Sequence, residues 1–156
     1  MKITITRNEV PLFLQVLRSI KGLKDYKKGI PLVADKRKLE KIQEESEDLV
    51  KMCKPAGYDE LQKEFTELKG KKARQFTDVE GELLNQDAIG SHVMLVWPKA
   101  KDWTDLNMDY QKEIEKIGKQ EIEIDFQTKL DVEFFDKKNM DMSTLEVRSY
   151  FLKKVE

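Results

Sequence analysis

Between Pro31 and Arg74 the chain carries two successive runs of helical periodicity, and the rest of the fold has to accommodate them. In the first run, Leu32, Leu39, Ile42, Leu49 and Cys53 recur at spacings of three, four and seven, with Ser46 in the same stripe. Such spacing holds one helical face apolar. Pro31 suits a helix start, where its missing N–H would be unpaired anyway. Lys54-Pro55-Ala56-Gly57 then breaks the run, because proline lacks a donor and glycine accepts left-handed backbone. In the second run, Tyr58, Leu61, Phe65 and Leu68 share a stripe. Asp59 and Glu60 in its first turn suit the positive helix end. Two helices joined by so short a break predict a long antiparallel helical hairpin over about residues 31–76.

The remaining faces of these helices are charged, as is much of the chain: 38% of residues are Asp, Glu, Lys or Arg, against a usual fraction of about 25%. Glu47 and Lys51 attract across one turn, while Glu40 and Glu44 repel. The net charge is only −1, so the molecule as a whole is no polyanion binder. Its halves differ, however. Residues 1–76 hold 18 Lys and Arg against 12 Asp and Glu, a net of +6, and residues 77–156 hold 11 against 18, a net of −7. Two readings follow: mutual neutralisation of the halves, or a basic surface offered to a partner.

At 156 residues the chain is expected to form a single domain, 1–156, with the hairpin inside it. Lys2 to Thr6 alternates and is β-branched, which predicts a strand. Asn8 is placed to cap a helix with Pro11 in its first turn and Val10, Phe13, Leu14, Leu17 and Ile20 on its buried face. Gly70, with Lys69, Lys71, Lys72 and Arg74 around it, weakens or ends the second hairpin helix. Residues 77–90 give no clear pattern beyond turns at Glu80-Gly81-Glu82 and Asn85-Gln86-Asp87. His92 to Trp97 is apolar and bounded by Pro98, and so reads as a buried strand. A helix capped by Asp102 or Thr104 then carries Trp103, Leu106, Tyr110, Ile114 and Ile117 to Gly118. Glu121 to Phe126 alternates as a strand, and Leu130, Val132 and Phe134 repeat the pattern. Ser143 with Glu146 has capping-box spacing and predicts a C-terminal helix, with a strand as the rival reading. The expected class is α+β: a small, mostly antiparallel sheet packed by helices, with the long hairpin.

The sequence offers little catalytic chemistry. His92 is the single histidine, whereas acid–base pairs and zinc sites draw on several groups. Cys53 is the single cysteine, so no intrachain disulfide forms, and it sits on an apolar stripe as a small buried hydrophobe. Glu121, Glu123 and Asp125, with Asp131 and Glu133, suit a solvated strand face better than a metal site. Asp136 to Asp141 lacks the glycine and closing glutamate of a calcium loop. There is no glycine-rich phosphate loop and no serine nucleophile elbow. No run is long and apolar enough to span a membrane. The opening residues lack a secretory apolar core, which implies a chain made where it acts or carried out by another route. Trp97 and Trp103 flank Pro98–Asp102 and anchor that loop to a core, or one of them is offered to a partner.

The opening Lys2-Ile-Thr-Ile-Thr-Arg-Asn-Glu-Val-Pro, the long charged helices and the closing Glu-Ile-Asp-Phe and Met-Ser-Thr-Leu-Glu-Val-Arg-Ser-Tyr-Phe-Leu segments resemble small proteins of tailed phages and prophages of Gram-positive bacteria. Those proteins form a family of unknown function encoded near tail and lysis genes. The resemblance is one of pattern over most of the chain and carries no catalytic residue. It implies a phage accessory role in the host bacterial cytoplasm or in the virion.

These observations lead to an expected non-enzymatic binding protein without cofactor or metal. Its partner is a phage or host protein, and its role that of a virion or assembly component. The alternative is an inhibitor of a host protein or nucleic-acid complex, including a counter-defence protein. The candidate contact residues are Lys36, Arg37, Lys38 and Lys41, with Lys69, Lys71, Lys72 and Arg74, which an antiparallel hairpin would return to one end. Interspersed acids and the lack of stacking aromatics disfavour nucleic acid, no membrane is involved, and a homo-oligomer is compatible with the charge split.

Overall fold

The computed structural model describes residues 2–80, 86–135 and 142–152. In chain order the elements are β1 (Lys2–Thr6), α1 (Val10–Arg18), α2 (Tyr26–Met52), α3 (Tyr58–Glu80), α4 (Gln86–Val96), α5 (Ala100–Gly118), β2 (Glu121–Asp125) and α6 (Met142–Ser149). The fold is α+β, a two-stranded antiparallel sheet with long helices, and α2 and α3 are the two long consecutive helices expected over the hairpin region. Contacts gather into two compact units, Met1–Met52 with Glu115–Glu156, and Cys53–Ile114.

The first unit is built around α1. Its apolar face, Val10, Phe13, Leu14, Leu17 and Ile20, is buried as its spacing requires. The strands pair with Ile3 opposite Ile124 and Ile5 opposite Ile122, so one sheet face is aliphatic. Phe13 stacks on Phe126 with centroids 5.6 Å apart, and Phe151 meets both edge-on. Asn8 does not cap α1. The chain turns earlier, through a 3-10 turn (Arg7–Glu9) in which the Glu9 carboxylate accepts the Thr6 backbone N–H at 2.7 Å. Asn8 sits instead against Gly118, whose missing Cβ leaves room for its side chain.

Helix α2 begins five residues before Pro31. Asp25 is the reason: its Oδ1 accepts the Lys27 N–H at 2.9 Å and its carbonyl accepts the Lys28 and Gly29 N–H groups. A side-chain acceptor at this position satisfies a first-turn donor that otherwise has no partner. Pro31 therefore lies inside the helix, where it forgoes one backbone bond. The helix ends at Met52, and Gly57 supplies the left-handed backbone, φ +83, that starts α3. Leu32 and Leu39 are buried and Ile42 packs at the edge of the same core, whereas Cys53 is half-buried.

Two expected strands are absent from the places assigned to them. Leu130 forms only an isolated parallel bridge to Leu152, followed by a 3-10 turn (Val132–Phe134). The Leu130 N–H still reaches the Phe151 carbonyl at 2.8 Å, which ties this segment to the end of α6. The helical reading of the C-terminus holds, and Val147 and Phe151 are buried there.

The second unit is helical. His92–Trp97, expected as a strand, falls in α4 and the residue after it. A strand would place positions 93, 95 and 97 on one face, yet Leu95 is 84% exposed while Val93 and Trp97 are buried. Ile89, Val93 and Trp97 are buried at spacings of four, which is the helical period. Helix α3 runs through Gly70 to Glu80 without ending there, since one glycine costs a helix only about 1 kcal/mol. Of the expected turns, Gly81 to Asn85 lie outside the described residues, and Gln86 already begins α4. Tyr58, Leu61, Phe65 and Leu68 of α3 pack on Val93, Trp97 and Trp103. Both tryptophans are thus core anchors. Phe65 stacks on Trp97 at 5.7 Å and on Trp103 at 6.0 Å, and Tyr58 meets Trp103 and Tyr110 at 5.0 and 4.8 Å.

Candidate functional site

The eight basic residues singled out from sequence are divided between the two units. Lys36, Arg37, Lys38 and Lys41 belong to the first unit, on α2, and Lys69, Lys71, Lys72 and Arg74 to the second, on α3. The charge split that drew attention to them follows chain order rather than the folded units. The first unit holds 20 Lys and Arg against 18 Asp and Glu, a net of +2, and the second holds 9 against 12, a net of −3. The discontinuity of the first unit causes this, because it returns the acidic end of the chain to the basic beginning.

Within α2 Lys36 is half-buried, and the other three have different work. Lys38 is structural: its ammonium donates to the Asp125 carbonyl at 2.9 Å and lies 3.7 Å from Asp35 Oδ1. Asp35 itself is fully buried. Its carboxylate accepts the backbone N–H groups of Gln127 and Thr128, the latter at 2.7 Å, and the Thr128 hydroxyl at 2.5 Å. A buried carboxylate is tolerated only when its lone pairs are met by donors of this kind. It fastens α2 to the chain after β2, about ninety positions further along. Sequence reasoning missed Asp35. The available signal was an acid at a position where the apolar stripe should have continued between Leu32 and Leu39.

Arg37 and Lys41 point outward and are exposed. They continue a face that begins with Tyr26 (72% exposed), Ile30 and Val33. Lys28, by contrast, is engaged by Asp131 at 3.8 Å and lies over the Phe134 ring. Arg7 is held on the opposite side of α2, donating to Ser46 Oγ at 2.9 Å and to Gln120 Oε1 at 3.0 Å.

In the second unit, Lys69 lies over the Phe65 ring, 4.8 Å from its centroid. Lys71 and Lys72 border a groove of about 320 Å³ between α3 and α4. Leu68, Val93, Val96, Trp97 and Pro98 form its apolar lining, and His92 stands at its edge. The Arg74 side chain lies outside the described residues. Close by, the Trp97 indole N–H donates to Glu64 Oε1 at 3.1 Å and the Lys99 ammonium to Glu64 Oε2 at 3.0 Å. The Lys99 bond, then the indole bond, hold the Glu64 carboxyl below the ordinary carboxylate range. This pair fixes the tryptophan ring that forms the groove floor.

No protein-family model, no curated protein and no solved structure matches the chain. Among the described residues, no group of three or more His, Cys, Asp or Glu side chains is placed to hold a metal ion, and no helix is long and apolar enough to cross a membrane. Glu121, Glu123 and Asp125 stand exposed on the outer face of β2, where Lys2 pairs with Glu123 at 3.3 Å.

Proposed function

We propose that this is a non-enzymatic protein that works through protein–protein contacts, as an accessory component of a tailed phage in the virion or its assembly. The observation that carries the contact reading is the groove between α3 and α4, with Val96 of its lining 65% exposed. An apolar side chain held at solvent within a concave apolar lining suits a partner that inserts a side chain there. The cationic edge at Lys71 and Lys72 selects the occupant by charge. It is a protein segment presenting an apolar residue between carboxylates. The phage setting is supported by the resemblance of the opening and closing segments to small proteins of Gram-positive phages and prophages.

A photo-crosslinking residue at His92, at the groove edge, in protein expressed in a Gram-positive host during phage infection, tests this. The expected product is an adduct with one protein, lost when Val96→Asp is added. A phage structural protein as that adduct supports the assembly role, and a host protein replaces it with inhibition. Crosslinking to nucleic acid, or no adduct, overturns the reading. Labelled duplex and single-stranded DNA provide a second check: no binding is expected at physiological salt, where a basic nucleic-acid site would show salt-dependent affinity.

A further inference from the structure

We propose that the protein self-associates through the outward face of α2, which pairs antiparallel with α2 of a second copy. This goes beyond the groove reading and is independent of it, since α2 and the groove belong to different units. At 3.6 residues per turn, positions 33, 37, 41, 44, 48 and 52 fall within about 100° of one another around the helix. All six are exposed, while Leu32, Asp35 and Leu39 on the opposite face are buried.

Read along the chain, that face runs Val33, Arg37, Lys41, Glu44, Asp48, Met52: apolar, two cations, two anions, apolar. Reversed, the order is its own complement. A two-fold axis passing between Ile42 and Gln43 sets Arg37 opposite Asp48 of the second copy, Lys41 opposite Glu44 and Val33 opposite Met52. Each contact then occurs twice, as an isologous interface requires. A parallel pair in register would instead oppose like charges, which is unfavourable.

Two further observations favour a second copy over an unrelated partner. Arg37, Lys41, Glu44 and Asp48 have no ion-pair partner among the described residues, whereas the neighbouring acid, Glu40, is taken by Arg18 at 3.2 Å. The apolar ends are also open: Met52 is 82% exposed, and Ile30 and Tyr26 prolong the Val33 end. One helix pair buries less than the standard interface of about 1,600 Å², so association is expected to be weak, on the order of 10–100 µM.

Sedimentation equilibrium of the full chain, from about 5 to 500 µM, brackets that range. The weight-average mass should rise from the 18.4 kDa of the monomer toward twice that value. Raising salt should lower it, because exposed charge pairs are screened. Arg37→Glu with Lys41→Glu leaves an all-acidic face, and Glu44→Lys with Asp48→Lys an all-basic one. Each double variant should weaken self-association by at least about tenfold. Mixed in equal amounts, they should restore the dimer as a heterodimer, since every opposed pair is then of opposite sign. Helical circular dichroism verifies folding of the variants, and the salt dependence of the unaltered chain tests the proposal without them. A mass that stays monomeric throughout, variants that associate like the parent, or folded variants whose mixture does not recover would each overturn it. The first of these results would leave the face to a different protein.

Discussion

The two units reach stability by different routes. The first joins segments from both ends of the chain, and its aliphatic and phenylalanine core encloses a charged group, Asp35. The second is continuous in sequence and rests on an aromatic stack of Tyr58, Phe65, Trp97, Trp103 and Tyr110, and among its described residues no charged side chain is buried. A buried carboxylate is unforgiving, because each donor it satisfies is stranded when it goes. A partly exposed aromatic stack degrades gradually. Both tryptophans belong to the second unit, so their fluorescence follows that unit while circular dichroism follows all helices. The contrast can therefore be measured.

The largest effect is expected from Asp35→Ala, which strands the Gln127 and Thr128 N–H groups and the Thr128 hydroxyl. It should destabilise the first unit by about 3–5 kcal/mol. In urea melts the circular dichroism transition should move to lower denaturant ahead of the tryptophan transition. A shift of both together would show that the units unfold as one. Leu39→Ala removes a fully buried side chain and should cost about 2–5 kcal/mol; a loss below about 0.5 kcal/mol would place that stripe at solvent.

Phe65→Ala should cost less, about 1.5–3 kcal/mol, because Phe65 is half-buried and its loss opens the stack to water rather than to a closed cavity. Here tryptophan emission should respond first. A smaller effect should appear at Glu64. Its carboxyl is held below the ordinary value of 4.5 in the folded state, so the stability it contributes is present above that pH and is lost as pH falls through the lowered folded value. Glu64→Gln should flatten the acid limb of the second unit's stability below about pH 5 and leave neutral pH nearly unchanged. An unchanged acid limb would mean that Lys99 and Trp97 do not hold the carboxylate in solution. The smallest effect belongs to Leu95→Ala, within about 0.5 kcal/mol, as for an exposed helix position. A loss of 2 kcal/mol or more, roughly that of a buried leucine, would return residues 92–97 to a buried strand.

Much of this fold was legible locally. The stripe of α1, the alternation of β1 and β2, the break at Lys54–Gly57 and the stripes of α3 and α5 each depend on neighbours within a turn or two, and periodicity reports them directly. The helix α4 was not legible, because His92–Trp97 is too short for its composition to separate a strand from a helix. Only Ile89, one turn upstream, and the partners on α3 settle the period. Of the eight candidate site residues, sequence identified their charge but not their work. Lys38 became a structural donor because Asp125, far along the chain, lies beside it.

By itself, then, the sequence determined the apolar periods, the helix-breaking residues and the charge order along α2, since these are properties of covalent spacing. The tertiary structure decided which segments share a core. The basic beginning and acidic end of the chain meet in one unit because β1 pairs with β2 and Asp35 receives the Gln127 and Thr128 donors. Those contacts join residues about ninety or more positions apart, and no local pattern encodes them: their free energy depends on burying many distant groups together.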